Sequence, residues 1–276
     1  MSKIYKAKQD VVFKMLFGDK NDTDILSDFL QTVLKYPKDE FEKIEILNPF
    51  LYVANIGDKQ SIVDVKITTK SGKIIDIEIQ VKKMDSMRLR ILFYATKLFA
   101  GQLKKGEEYE KLKKTINILI CTDHILIDEN KDYHNRFLMR ADDSTVLTDA
   151  MEINTLELKK IPKGDNSRLV TWLKFLDTDN KEELDMIATQ GAGLKKAVDR
   201  LIEISEDEKA KAFIEAREKA LHDEATLISE SEKRGMEKGK HDREIEIAKN
   251  MILDKEPMDK IKRYTGLTEE EIEKLK

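Results

Sequence analysis

Two carboxylates, Asp64 and Glu78, have types and spacing suited to holding a metal ion. They belong to residues 62–82, where polar and apolar side chains alternate across two segments joined by a glycine-containing turn. Such alternation predicts a β-hairpin that carries its polar side chains on one face. A three-residue loop over 70–72, with positive φ at Gly72, places Asp64 directly opposite Glu78. A two-residue Ser-Gly loop would instead oppose each carboxylate with an isoleucine.

Opposed side chains on such a hairpin have Cβ atoms roughly 4.5 to 5.5 Å apart. Asp64 and Glu78 therefore repel each other unless something positive lies near them. The candidates are Lys66, a neighbouring chain segment, or a divalent cation such as Mg²⁺, which is typically held by one or two carboxylates and several waters. The alternative is a solvated antiparallel face, on which cross-strand ion pairs have little energetic value.

The alternation also assigns the two faces of the hairpin. The expected buried face consists of Val63, Val65, Ile67, Ile75, Ile77, Ile79 and Val81. The expected polar face consists of Asp64, Lys66, Asp76, Glu78 and Gln80.

The elements around the hairpin predict an α/β layered domain. Residues 9–36 have the spacing of two helices, and 41–47 alternate like a strand. Residues 86–103 predict a helix, and 115–121 predict a buried strand. The order of helices, three strands, helix and strand is typical of a mixed sheet flanked by helices. The apolar stripe expected to face the core along the 86–103 helix is Met87, Ile91, Tyr94 and Leu98, with Leu92, Ala95 and Phe99 beside it.

Composition limits the other classes of function. Charged residues make up 38% of the 276 residues, yet the net charge is only −4, so no global charge indicates a nucleic acid or membrane partner. The single cysteine, Cys121, argues against disulfides and cysteine-based metal sites and favours a reducing compartment. No apolar run reaches the roughly 18 to 20 residues that cross a bilayer, and the N-terminus lacks a signal-peptide core. We expect a cytoplasmic protein.

A local basic segment is hidden by the overall charge. Residues 82–114 hold ten lysines and arginines against four acids. A phosphate backbone approaching the carboxylates would be attracted there. The alternative is an ordinary lysine-rich solvated face.

The rest of the chain predicts mainly helices. Short strands are expected at 137–140 and 151–158, two helices within 167–205 around a core Trp172, and a long charged helix from 206 to about 249, interrupted at Gly235 and Gly239. Three short helices are expected at the end, with a Thr268/Glu271 capping box at the third. His124, His134 and Asp142 match no metal-ligand spacing and are expected in surface loops.

Together these elements resemble the PD-(D/E)xK nuclease core. More narrowly, the sequence resembles the Rpn family of recombination-promoting nucleases, also described as PD-(D/E)xK nuclease family transposases. The resemblance spans nearly the whole chain. The matching segments are Asp10 to Phe17, Val63 to Val65, Ile77 to Gln80, Arg88 to Tyr94, Gly106 to Tyr109, Lys233 to Gly239, Ile247 to Lys249 and Tyr264 to Ile272.

The resemblance implies a restriction-endonuclease-like core and a role for each matching site residue. Asp64 and Glu78 would hold Mg²⁺ or Mn²⁺, with the Ile79 carbonyl as a third ligand and Asp10 as an acidic contributor. Gln80 would be catalytic at a position where the wider superfamily has lysine. A glutamine amide can only hydrogen-bond, so more of the catalysis would fall to the metal. The residues expected to contact DNA are Lys14, Lys82, Lys83, Arg88, Arg90 and Tyr94.

Simpler interpretations of three of these residues stay open. Asp10 is also a typical first-turn acid favoured by the helix dipole. Lys14 is spaced to pair with it at i+4. Tyr94, like Tyr109, is either a core aromatic or a platform for a base.

We therefore expect a nuclease-like core at 1–160, a helical extension at 161–205, a long charged helix at 206–243 and a small helical tail at 244–276. The expected activity is metal-dependent endonucleolytic cleavage of DNA in recombination or transposition. The alternative is a catalytically degenerate nuclease fold that acts as a scaffold through its C-terminal helices. A third reading is a DNA-binding regulator that uses the tail. Expected partners are DNA and a second copy bound through the C-terminal helices, with no membrane.

Overall fold

The computed structural model describes residues 3–47, 64–81 and 83–275, with the side chain of Asp64 outside that description. The strands are β1 (Glu45–Ile46), β2 (Asp64–Thr68), β3 (Ile74–Gln80), β4 (Thr115–Cys121), β5 (His134–Arg140) and β6 (Val146–Glu157). The helices are α1 (Asp10–Phe17), α2 (Asp24–Leu34), α3 (Met87–Ala100), α4 (Arg168–Asp177), α5 (Lys181–Ala188), α6 (Ala192–Glu206), α7 (Glu208–Leu253), α8 (Met258–Thr265) and α9 (Glu269–Glu273).

Within the described residues the strands form one mixed sheet in the order β1-β2-β3-β4-β6-β5. Strands β1, β2 and β3 pair antiparallel, β3 with β4 and β4 with β6 pair parallel, and β5 is antiparallel to β6. Parallel neighbours need a crossover connection, which α3 makes between β3 and β4. The predicted fold class, a mixed sheet flanked by helices with a helical C-terminal region, is confirmed.

The hairpin has the predicted turn and register. Gly72 has φ of 85°, in the left-handed region that favours glycine, and the Thr69 amide donates to the Lys73 carbonyl at 3.0 Å. Asp64 pairs with Glu78, as the three-residue loop requires. The alternation of side chains therefore predicted the strand pairing correctly.

The apolar face of the hairpin lies in the main core. Val65, Ile67, Ile75, Ile77 and Ile79 are at most 2% exposed and pack with residues of α1, α2, α4 and α6. The other two residues predicted on the buried face are Val63 and Val81. Val63 lies outside the described residues. Val81 is 40% exposed, because β3 ends at Gln80 and its pairing ends there too.

A second, smaller core lies on the opposite face of the sheet, under α3. Met87 and Ile91 of α3 pack there on Leu119 and Cys121 of β4. Consecutive strand residues point to opposite faces, so this is also the face on which Glu78 lies, since Glu78 pairs with Leu119 across the parallel strands. Helix α3 packs on this face over β4 and β6, and the side chain of its Arg90 reaches Glu78.

Several predicted element boundaries are wrong. The strand expected over 41–47 is only β1, because a 3-10 turn begins after Pro37 and includes Phe41, which is buried and stacks on Tyr36. Residues 167–205 form three helices, α4, α5 and α6, rather than two. The two strands expected near 137 and 151 are present as the longer β5 and β6.

Helix α7 runs unbroken through Gly235 and Gly239, where the sequence predicted interruptions. A glycine costs about 1 kcal/mol relative to alanine in a helix interior, which is too little to end a helix of this length. The capping box of Thr268 and Glu271 is confirmed. None of the described helices is apolar enough over sufficient length to span a membrane.

The chain divides into two compact units, Met1–Ile214 and Glu215–Lys276. The first contains the sheet and α1 to α6, and the predicted core residue Trp172 is fully buried there with its indole N–H 3.2 Å from Asp28. The second has its own small cluster, formed by Ala248, Ile261, Leu267 and Ile272.

Candidate metal and phosphodiester site

Asp64 and Glu78 face each other at the end of the hairpin where β2 begins and β3 ends. The Thr69 amide bonds to Lys73, so odd-numbered residues form the hydrogen-bonded pairs of this antiparallel ladder. Asp64 and Glu78 are then a non-hydrogen-bonded pair, the type in which Cα atoms are about 4.5 Å apart and side chains are closest. The backbone therefore brings these two residues as near to each other as a β-ladder allows.

The ladder also directs the Ile79 carbonyl toward the side of β2. The Ile74 amide donates to Lys114 and the Gln80 carbonyl accepts from Thr122, so even-numbered residues of β3 bond toward β4. The peptide groups of odd-numbered residues, including Ile79, face the opposite way, toward the strand that begins at Asp64. This main-chain oxygen thus faces the side of the sheet on which β2 lies.

The positive charge near the carboxylate pair comes from α3. The Arg90 guanidinium donates from Nη2 to Glu78 Oε1 at 3.1 Å. The Glu78 side chain is 16% exposed and the Arg90 side chain is 38% exposed, so both keep access to solvent. A neighbouring chain segment, one of the three sources that the sequence offered, therefore supplies positive charge at Glu78. From the sequence, Arg90 was predicted only to contact DNA. Residue spacing within a helix does not show which strand residues its side chains will contact.

The described polar side chains of the hairpin are buried or half-buried rather than fully solvated. Asp76 is 7% exposed and accepts a hydrogen bond at 3.2 Å from the amide of Asn117, itself 4% exposed. Burying polar groups is unfavourable unless they are hydrogen-bonded. The arrangement therefore does not fit an ordinary solvated face of a one-sided sheet.

Gln80 lies on the same face as Glu78, two residues further along β3. Its carbonyl accepts from the Thr122 amide at 3.2 Å, which anchors the backbone at this position. Next to it on β4, burial, together with the charges of Glu157 and Glu78, raises the pKa of the Cys121 thiol to about 12. Cys121 is therefore a neutral, buried thiol near pH 7.

Helix α1 lies alongside β2 and carries Asp10 and Lys14. The Asp10 carboxylate accepts from the Val11 amide at 2.8 Å, in the first turn of the helix. Lys14 is only 7% exposed. Helix α1 packs on the apolar face of the hairpin, opposite to the face that carries Glu78, and Lys14 offers little surface to a DNA backbone.

The other residues expected to contact DNA are in different environments. Arg88 forms a bidentate pair with Glu129 at 2.8 Å and donates to the Leu126 carbonyl, so it fixes the loop that follows β4. Its hydrogen bonds lower the pKa of Glu129 to about 2. Lys83 is exposed on the surface, and Lys82 lies outside the described residues.

The predicted core stripe of α3 is partly wrong. Met87, Ile91 and Ala95 are buried, whereas Tyr94 is 43% and Leu92 is 46% exposed. The buried stripe follows positions i, i+4 and i+8, which is narrower than the sequence suggested, because α3 rests on only part of the sheet. Tyr109 is 81% exposed, so neither tyrosine is a core aromatic.

Two histidines expected in surface loops lie elsewhere. His134 belongs to β5, and its Nε2 is 3.1 Å from Asn154 Oδ1. Burial lowers the pKa of His134, so it is neutral near pH 7. His124 follows β4 and is 8% exposed.

The donor set at the end of the hairpin fits a hard divalent cation. Carboxylates and a main-chain carbonyl are the ligands that Mg²⁺ and Mn²⁺ prefer. Among the side chains that the structure describes, which exclude Asp64, no three histidine, cysteine, aspartate or glutamate side chains come together as a metal site. Asp64 and Glu78 are the opposed carboxylates that the hairpin offers to such an ion.

Comparison with known proteins gives a match to a family model. A family model described as PD-(D/E)XK nuclease family transposase matches residues 7–231. No curated protein and no solved structure matches the chain.

Proposed function

The chain belongs to the PD-(D/E)XK nuclease family transposases, and from this premise we propose that it is a metal-dependent endonuclease that hydrolyses phosphodiester bonds in DNA. The observation that carries the proposal is the non-hydrogen-bonded pairing of Asp64 with Glu78. Asp64, Glu78 and the Ile79 carbonyl would hold Mg²⁺ or Mn²⁺, with Asp10 of α1 contributing negative charge nearby. When bound, the ion supplies Lewis-acid stabilisation and lowers the pKa of its water.

Gln80 and Arg90 would have separate roles in the reaction. Gln80, one pleat beyond Glu78, can orient the attacking water through its amide, as a lysine at this position would through its ammonium. Arg90 reaches Glu78 and is 38% exposed, so its guanidinium is also placed to donate to a phosphate oxygen of the substrate. These groups would hold the phosphate and water in line. The water oxygen forms a new bond to phosphorus as the bond to one sugar oxygen breaks, the water loses a proton to solvent, and the leaving oxygen takes up a proton.

A plasmid-nicking assay in Mg²⁺, in Mn²⁺ and in EDTA tests the proposal. Wild type should convert supercoiled plasmid to nicked or linear product with either metal and not in EDTA. Asp64→Ala, purified in parallel, controls for a contaminating nuclease and should give no product. Wild type without product in either metal, although folded and able to bind DNA, would overturn the proposal.

A second function, a catalytically silent scaffold, is favoured by one observation. The ion pair between Arg90 and Glu78 supplies a positive charge that a metal would otherwise bring, and Gln80 replaces a cationic lysine. A silent core of this kind would bind no Mn²⁺ at Glu78. Activity that appears only in a Gln80→Lys variant would support the scaffold.

A further inference from the structure

The outward side of α3 presents large apolar side chains to solvent. Leu89, Leu92, Phe93 and Tyr94 are 72%, 46%, 61% and 43% exposed, respectively. We call these four residues the α3 face. Monomeric proteins seldom expose such groups together without a binding function. The face is distinct from the buried stripe that holds α3 on the sheet.

The charge around the α3 face is entirely positive along its own segment. From Ser86 to Gly106 the sequence contains five lysines and arginines and no acid. Lys97, Lys104 and Lys105 are exposed, and none of these three pairs with an acid among the described residues. A ligand of this surface should therefore combine negative charge with flat apolar groups.

The α3 face is joined to the proposed metal site by direct contacts. Arg90 donates to Glu78 at 3.1 Å, and its guanidinium lies 5.3 Å from the centre of the Tyr94 ring. The Tyr94 ring is in turn 5.5 Å from that of Phe93, edge to face. Arg90 thus contacts both the Glu78 carboxylate and the ring of Tyr94, which packs on Phe93. A nucleotide next to a phosphate bound at Glu78 could reach this aromatic pair.

We infer that the α3 face binds unpaired DNA bases, so that the substrate is single-stranded DNA or a duplex with an unpaired segment. This inference rests on the proposed function and names its substrate class. A paired duplex presents phosphates at its surface and buries the faces of its bases, so exposed leucine and phenylalanine gain little from it. Unpaired bases offer their faces to aromatic side chains in sequence-tolerant stacking, while lysines track the backbone.

A second copy of the chain fits the α3 face less well. A twofold contact through this face would bring the exposed Lys97 and its counterpart on the second copy into one interface, with no acid between Ser86 and Gly106 to offset them. Like charges opposed across an interface disfavour association. Charge complementarity therefore favours a polyanion.

The test compares three DNA molecules of the same sequence and length: a single strand, a full duplex and a duplex with a central mismatched bubble. Binding is measured in EDTA, with wild type, Phe93→Ala and the control Leu227→Ala, which removes an exposed leucine from α7. Wild type should bind the bubble and single strand at least tenfold more tightly than the duplex. Loss of one stacked base should weaken those two complexes by roughly 5- to 150-fold in Phe93→Ala, with duplex binding and the control unchanged.

Equal affinity for all three molecules, or full affinity in Phe93→Ala, would overturn the inference. So would a shift from dimer to monomer in Phe93→Ala by sedimentation, which would assign the α3 face to a second copy. Cleavage of the same molecules in Mn²⁺ separates this inference from the proposed function. Equal cleavage of duplex and bubble would support the nuclease proposal and contradict base binding by the α3 face. Preferential binding of the bubble without any cleavage would support base binding by the α3 face and contradict the nuclease proposal.

Discussion

Glu78 and Glu152 are carboxylates on opposite faces of the same sheet, and each accepts a hydrogen bond from an arginine. Glu152 of β6 is 2% exposed and lies 2.9 Å from Arg136, from Lys114 and from the Asn154 amide. Burial would raise its pKa, but these donors outweigh burial and lower it to about 2. Glu78 is 16% exposed, contacts Arg90 at 3.1 Å, and faces Asp64 across the hairpin.

The difference separates a structural carboxylate from one suited to catalysis. Glu152 is enclosed by donors from β5, from β6 and from Lys114 just before β4, so its charge is neutralised by the surrounding framework. Glu78 keeps solvent access and has a second carboxylate opposite, which is unfavourable for the fold alone. Unfavourable arrangements of this kind are more typical of binding sites than of cores.

The largest expected effect follows removal of charge from the proposed ligands. Asp64→Asn and Glu78→Gln should each reduce metal-dependent cleavage by more than the roughly 10²- to 10³-fold typical of losing one preorganised donor. Each change removes one of two carboxylates that would fix the ion. Single-turnover cleavage of a labelled duplex or bubble measures the loss. Full activity in either variant would show that the site lies elsewhere.

Gln80 should have the next largest effect on rate. Gln80→Ala should lower the cleavage rate by about 10²- to 10³-fold with little change in DNA affinity, because a single oriented donor is lost. Gln80→Lys should preserve or raise the rate, since it restores a donor at this position. Unchanged rates in both variants would remove Gln80 from the mechanism.

Glu152→Gln tests the structural side of the comparison. The pKa of Glu152 is lower in the folded state than its ordinary value of 4.5, so its stabilisation is present above that value and is lost as pH falls toward 2. The variant should be less stable than wild type by about 3 kcal/mol at pH 7. Urea unfolding at pH 7, 5 and 4 should show that the difference in unfolding free energy between wild type and Glu152→Gln is smaller at pH 4 than at pH 7. An equal difference at all three pH values would contradict the account.

The smallest effect concerns Arg90. Arg90→Met should bind Mn²⁺ about fivefold more tightly, because a partly exposed ion pair with Glu78 contributes up to about 1 kcal/mol and competes with the ion. Arg88→Met is the matched control, since that arginine pairs with Glu129 instead. Equal affinities in wild type and both variants would mean that Arg90 does not compete for Glu78.

Residue patterns predicted the hairpin because strand alternation has a period of two and a slip of one residue would reverse its faces. The register of Asp64 with Glu78 and the positive φ of Gly72 followed from this rule. The fold class followed from the order of elements, and the family from the motifs that those elements carry.

Helical periodicity was less informative. A helix of 3.6 residues per turn allows stripes of several widths, so the sequence alone did not reveal that Tyr94 and Leu92 of α3 are exposed. The contact of Arg90 with Glu78 depends on how α3 lies on the sheet, which no local pattern encodes. Whether Glu78 binds an ion therefore needs a direct measurement.

Isothermal titration of Mn²⁺ into wild type, Glu78→Gln and Glu152→Gln tests the central claim most directly. Both variants exchange a carboxylate for an amide of the same shape, on opposite faces of one sheet. We expect wild type and Glu152→Gln to bind Mn²⁺ with similar affinity and Glu78→Gln to lose that binding. Equal binding by all three proteins, or equal loss in both variants, would contradict the assignment of the metal to Glu78.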